Sequence, residues 1–197
     1  MNKSKPQLQF RRVATLPIIL QDERAECGQA CVVMVSHYFG HDTDLYHIRK
    51  LCKPSSLGVN LLDIKNTLEQ LGLRTRALRV SLDELSLVKT PAIMHWNMNH
   101  FVVLKQVKKN HVVIHDPAIG IRRVRFDEVS ESFTGVILEI EKSNDFQVIR
   151  ERNNLTLYDL IKTITGIRLF LIVLMLLSLS IEVLSLLNPL FMQYITI

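Results

Sequence analysis

The sequence predicts an α+β domain, a helical half followed by an antiparallel sheet, with one apolar helix after it. Three observations carry this. Apolar residues recur at helical spacing between Cys27 and Leu71, and short Val- and Ile-rich segments broken by turn residues fill Pro91–Glu141. From Leu169 to Ile197, Glu182 is the only charged residue. Helices first and strands second favour separate helical and sheet layers over alternating βα units.

Val32, Val33, Val35 and Phe39 form the apolar pattern of a helix starting at Cys27, which Gly40 can end. Asp44–Leu51 reads as a short second helix. Asn60 is placed to cap a third, Leu61–Leu71, with Gly72 at its end. Ser81 and Glu84 have capping-box spacing for one more turn. Pro91–Trp96, His100–Val107, His111–Asp116, Gly120–Phe126 and Thr134–Glu141 read as strands. The expected organisation is a folded domain over 1–145, a polar linker over 146–166 with a short helix at Tyr158–Thr165, and a transmembrane helix within 167–197.

Leu169–Leu187 approaches the ~20 residues that span a bilayer, although Glu182 costs roughly 2.5–3.5 kcal/mol on insertion scales. Arg150, Arg152, Lys162 and Arg168 precede it, so the positive-inside rule puts the first domain in the cytoplasm. The sequence stops in apolar residues after Asn188-Pro189, as a piece of a longer transporter would. The basic start (Lys3, Lys5, Arg11, Arg12) and Val13–Leu20 do not make a signal peptide. The apolar run is short, holds Pro17 and lacks a small-residue cleavage site.

A net charge of +5 with scattered basic residues gives no nucleic-acid signature. Three cysteines give neither a disulfide framework nor zinc-finger spacing, so no metal is expected. None of the seven glycines stands five apart ahead of Lys-Ser/Thr, so this chain holds no P-loop.

Cys27, between Glu26 and Gly28 at a helix start, sits where the helix dipole favours a thiolate. Gly28 would let a substrate carbonyl approach, and Gln21 carries an amide able to donate to an oxyanion. On this chemistry alone a cysteine at a helix start is as a rule a small buried residue. Cys31 and Cys52 read as core, and His37, His41 and His47 as surface or cap residues. A cysteine nucleophile needs a base, and the base an orienting group. If Lys108-Lys109-Asn110 is the loop of a hairpin, Val107 faces His111 and Val102 faces Asp116. His100 then shares a sheet face with Asp116, as its diagonal neighbour. A two-residue loop would separate them. His115, adjacent to Asp116, must point to the opposite face. A strand histidine that is simply hydrogen-bonded remains an equal reading of His100.

The segments QDERAECGQAC (Gln21–Cys31), MHWNMNHFVVL (Met94–Leu104) and HDPAIG (His115–Gly120) together resemble the signature blocks of the bacteriocin-processing peptidases. These are papain-like domains at the N-terminus of ABC exporters, which cleave a leader after a double glycine. The likeness extends over roughly residues 15–140, and Glu26 stands where Asp is also common in the family. The resemblance implies Cys27 as nucleophile, His100 as base, Asp116 as its orienter and Gln21 as oxyanion donor. It implies the leader of a bacteriocin or microcin precursor as substrate, with cleavage coupled to ATP-driven export. It further implies a homodimeric exporter in the bacterial inner membrane, working with a periplasmic adaptor and an outer-membrane channel. ATP and Mg²⁺ would belong to a nucleotide-binding domain outside this chain. The alternative from another class is a non-catalytic domain that only docks the leader, and docking would need none of these four residues.

Overall fold

The computed structural model describes residues 15–52, 58–151 and 167–195. The chain divides into two compact units, Met1–Asn153 and Asn154–Ile197.

In the first unit, a 3₁₀ turn at Arg24–Glu26 leads into helix α1 (Cys27–Phe39). Gly40, at φ 108°, ends α1 in the left-handed conformation, and its N–H returns to the carbonyls of Ser36 and His37. Strand β1 (Asp42–Thr43) precedes α2 (Leu45–Leu51), whose N-cap Asp44 accepts from His47 N–H at 2.8 Å. Helix α3 (Leu61–Gln70) starts from a reciprocal box. Asn60 accepts from Asp63 N–H at 2.9 Å, and Asp63 accepts from Asn60 N–H at 3.1 Å.

The remaining elements are β2 (Leu73–Arg79), β3 (Ala92–Trp96), β4 (His100–Val107), β5 (His111–Asp116), β6 (Gly120–Arg125), α4 (Phe126–Ser132), β7 (Phe133–Lys142) and β8 (Arg150–Glu151). Six strands form one antiparallel sheet in the order β2-β7-β3-β4-β5-β6. One face packs Ile93, Phe101, Val103 and Leu138 against α1 and α3. The other packs Met94, Val102, Ile114 and Ile137 under Leu85 and Val129. The central strands β3 and β4 are therefore nearly continuous apolar runs, buried on both faces. This is the papain-like arrangement of helices on an antiparallel sheet.

Several sequence expectations change. Strand β2 and helix α4 were not foreseen. β2 is an edge strand, Leu-Arg-Thr-Arg-Ala-Leu-Arg, in which only Leu73 is buried, so its pattern lacks the alternation of a half-buried strand. The Ser81/Glu84 pair does not form a full box. Leu82 is the N-cap of a 3₁₀ turn, and Glu84 accepts from both Ser81 N–H and Ser81 Oγ–H at 2.8 Å. His41 is buried rather than a surface residue. Its ring packs on Phe146 at 4.6 Å, and Nδ1 accepts from Ile149 N–H at 3.0 Å. Phe146 and Ile149 join the core, and β8 pairs with β1, so the first unit continues beyond the expected boundary at 145. The helix expected at Tyr158–Thr165 lies outside the described residues.

In the second unit, helix α5 runs from Ile167 to Ile195. Over 169–185, where its side chains are described, every residue is exposed on all sides. The expected membrane span is not met on these residues. Among the described residues no helix is long and apolar enough to cross a membrane.

Candidate active site

The site lies where β4 begins, β5 ends and α1 starts. The parity argument for His100 and Asp116 rested on a three-residue loop, and the hairpin has a different one. Val107 pairs with Val112, and Lys108 N–H donates to His111 C=O at 2.9 Å, so Lys109-Asn110 forms a two-residue turn. A bulge between Leu104 and Gln106 shifts the register back, and Leu104 pairs with Ile114 and Val103 with His115. The two departures cancel, leaving His100 and Asp116 on one face. His100 Nε2–H donates to Asp116 Oδ1 at 2.8 Å.

Asp116 is 2% exposed. Its Oδ1 also accepts from Ala118 N–H at 2.9 Å, and Arg122 Nη1 stands 3.6 Å from its Oδ2. Burial alone would raise its pKa. The bonds from His100 and Ala118 and the charge of Arg122 outweigh burial and hold the carboxyl below its ordinary value. For His100, burial favours the neutral ring. The hydrogen bonds to Asp116 and Cys27 overcome this and raise its pKa to about 9. With Nε2 committed to Asp116, Nδ1 is the nitrogen left for the Cys27 sulfur. The imidazolium therefore persists through neutral pH beside the Cys27 sulfur at the start of α1.

Cys27 is only 6% exposed. Cys31, one turn along α1, is fully buried, with Sγ 3.4 Å from Phe101 C=O. Burial pushes its thiol well above the ordinary value, so it stays protonated. Cys52 is likewise buried in the core.

Gln21 is half-buried, and its N–H donates to Pro117 C=O at 2.9 Å, next to Asp116. Gln21, Trp96, His100, Ile119 and Arg122 line a cleft of about 660 Å³. The cleft thus joins Gln21, His100 and Asp116, while Cys27 is not among its lining residues and meets the group through the His100 ring. The structure gives Gly28 a different part. A Cβ there would lie 2.2 Å from Val59 Cγ2 and 2.9 Å from Ile64 Cδ1, so Gly28 serves the packing of α1 on α3, and not the approach of a substrate.

Sequence reasoning missed His115, Arg122, Glu26 and Arg49. His115 is fully buried, and its Nδ1–H donates to Pro17 C=O at 2.8 Å, tying the segment that leads to Gln21 onto β5. The opposite-face parity was its only signal. Arg122 was one basic residue among several. The Glu26–Arg49 pair joins residues 23 positions apart, which no local pattern reveals. Among the described residues no group of His, Cys, Asp and Glu is arranged to hold a metal ion.

Residues 15–145 match the Peptidase C39 family model. The chain belongs to the peptidase C39 family. Its residues 15–145 are accordingly a cysteine peptidase domain. The C39 chain is 44% identical over 182 residues to the colicin V secretion/processing ATP-binding protein CvaB of Escherichia coli, covering 92% of this chain and 26% of that protein. It is 42% identical to the probable microcin-H47 secretion/processing ATP-binding protein MchF of the same species, covering 93% of this chain and 26% of MchF. It therefore spans about a quarter of the length of these relatives. Among solved structures it resembles a double glycine motif protease from an AMS/PCAT transporter, in complex with the leader peptide. The TM-score is 0.64 at 36% identity, covering 68% of this chain and 96% of that one. The peptidase domain of Streptococcus ComA, 21% identical with a TM-score of 0.61, shares the fold.

Proposed function

We propose that this C39 domain is a cysteine endopeptidase that removes the double-glycine leader of a bacteriocin or microcin precursor, coupled to ATP-driven export by the longer protein. The observation that carries the reading is the Cys27–His100–Asp116 alignment around a nucleophile that is 6% exposed. So enclosed a sulfur favours a slim backbone at the cut, which two glycines supply and a larger side chain would not.

The Cys27 thiolate adds to the carbonyl carbon of the second glycine, and the carbonyl π pair moves to oxygen. Gln21 and the Cys27 N–H donate to that oxyanion. The intermediate collapses, the peptide C–N bond breaks, and His100 gives its proton to the leaving amine. His100, now neutral, takes a proton from water. The hydroxide attacks the thioester, the C–S bond breaks to restore the Cys27 thiolate beside the protonated His100, and the leader leaves as a carboxylic acid that loses its proton to solvent. Asp116 holds the ring in the tautomer that serves both steps.

The exporter setting is part of the same proposal. Helix α5 runs from Ile167 to Ile195, and Glu182 is the only charged residue from Leu169 to Ile197. Ser180 Oγ–H donates to Leu176 C=O at 2.6 Å, satisfying the hydroxyl within the helix as an apolar surrounding would require. The helix would be the first transmembrane segment of a homodimeric exporter in the inner membrane, with the C39 domain in the cytoplasm. A periplasmic adaptor and an outer-membrane channel would complete the route. This chain's glycine spacing does not fit a nucleotide site, so ATP and Mg²⁺ would bind elsewhere in the longer protein.

The test is to incubate the chain, in detergent, with a synthetic double-glycine leader peptide and identify the products by mass spectrometry. A single cut after the second glycine, absent in Cys27→Ala, is expected. A peptide bound but left whole would support docking without catalysis, and equal cutting after bulky residues would indicate a general cysteine peptidase.

A further inference from the structure

Glu26 is among the few buried charged residues of the first unit, and none of the catalytic steps uses it. Its side chain is 6% exposed, and its partners among the described residues belong to the segment between the oxyanion donor and the nucleophile, or brace that segment. Oε2 accepts from Asp22 N–H at 3.2 Å and from Glu23 N–H at 3.1 Å. Arg49 closes on the same carboxylate, with Nε 2.6 Å from Oε1 and Nη2 2.9 Å from Oε2. Nη2 also reaches Asp22 Oδ2 at 2.7 Å. Arg49 is carried on α2, which Ile48 fixes in the core.

The segment 21–27 is thus held at three points. At Gln21 its N–H is fastened to Pro117 C=O, beside Asp116. At Asp22 and Glu23 it is fastened to Glu26. At Glu26 it is fastened to Arg49, one residue before Cys27. Two of the three ties run through the one carboxylate. The paired charges suit this task, because a buried carboxylate with two amide donors and a bidentate guanidinium leaves little rotational freedom.

We infer that Glu26, clamped by Arg49, is a positioning residue that sets the separation between the Gln21 amide and the Cys27 sulfur. This rests on the leader-peptidase reading above. The two groups must meet one carbonyl, Cys27 at its carbon and Gln21 at its oxygen, so an error in their separation falls on the transition state rather than on leader binding. Glu26→Gln keeps the shape but turns an amide N–H₂ toward the guanidinium donors. Arg49→Met removes the brace and leaves the carboxylate unpaired. Glu26→Asp keeps charge and partners with a shorter arm.

The experiment measures kcat and KM on the double-glycine leader peptide for the whole chain and the variants, with thermal melts to establish folding. Since a displacement of about 1 Å at a reacting group costs on the order of 10²-fold, Glu26→Gln and Arg49→Met should each lower kcat at least about tenfold. KM should stay within about twofold. Glu26→Asp should recover most of the loss. The double variant should be no slower than Glu26→Gln alone, because both changes break one clamp. If Glu26→Gln does not fold, Arg49→Met, on the partly exposed partner, carries the same test. Folded variants with the wild-type kcat, or with KM raised and kcat unchanged, overturn this inference and leave the peptidase reading standing. A wild-type chain that does not cut the leader overturns both.

Discussion

Gly28→Ala separates two roles that one small residue beside a nucleophile could play. If Gly28 only admitted substrate, the alanine would fold normally and lose activity. The structure requires otherwise. The new methyl would stand 2.2 Å from Val59 Cγ2 and 2.9 Å from Ile64 Cδ1, where carbon–carbon contacts settle at about 3.5–4.0 Å. Val59 must therefore retreat by more than about 1 Å, or α1 must lift from α3. Ile64 is fully buried and Val59 nearly so, leaving neither an easy escape. Overpacking of this kind costs about 1–3 kcal/mol, and alanine returns up to about 1 kcal/mol of helix propensity. A net loss of about 1–2 kcal/mol corresponds to a fall in Tm of roughly 2–8 °C in a unit of this size. The residue that moves with Gly28 is Cys27, so kcat should fall about 10- to 100-fold as the sulfur leaves the His100 ring. Thermal melts beside leader cleavage measure both. An alanine variant with unchanged Tm and reduced kcat would refute the packing argument and restore the substrate-approach role.

The remaining predictions concern the triad and the cut. Cys27→Ala should abolish cleavage, while Cys31→Ala and Cys52→Ala, core changes removing one sulfur each, should keep most of it; equal loss in folded Cys31→Ala would mean that the wrong thiol was chosen. With the His100 pKa raised to about 9, the wild-type rate should decline on the alkaline side near that pH, as the proton for the leaving amine is lost. Asp116→Asn should move this decline toward the ordinary histidine value of about 6.5, and a pH–rate profile with an unmoved alkaline limb would remove Asp116 from its orienting role. The same raised pKa fixes the sign of the stability effect. The raised His100 pKa contributes stability that is fully present below about pH 6.5 and is lost as pH rises through about 9, whereas the lowered Asp116 pKa contributes stability that is lost in acid, which denaturant titrations at several pH values would detect. In the leader, enlarging either glycine should chiefly lower kcat, whereas replacing apolar residues farther upstream should chiefly raise KM, as expected if an amphipathic leader helix supplies the affinity.

How much of the site was legible in the sequence depends on how far apart its members lie along the chain. The helix start at Cys27 and the cap Asn60 are local, and the structure places them as their spacing implies. Strands β3 and β4 announced themselves by apolar content, while the edge strand β2 did not, because an edge faces water along much of its length and its arginines conceal the period. The hairpin shows a finer limit. The pairing of His100 with Asp116 followed from a loop length that the structure does not have, and it survives because the bulge at Lys105 restores the register lost in the tighter turn. Side-chain parity is a property of the strand ends, where burial of Val102 and Ile114 on one face and Val103 on the other makes a one-residue slip costly. The outer end of the hairpin, Lys105–Asn110, is largely exposed and bears no such constraint, so both irregularities fall there. The same reasoning explains why Glu26 and Arg49 escaped notice. Their contact is fixed by neither period nor cap, but by the packing of α2 against α1, and a single sequence carries no local trace of which helices meet.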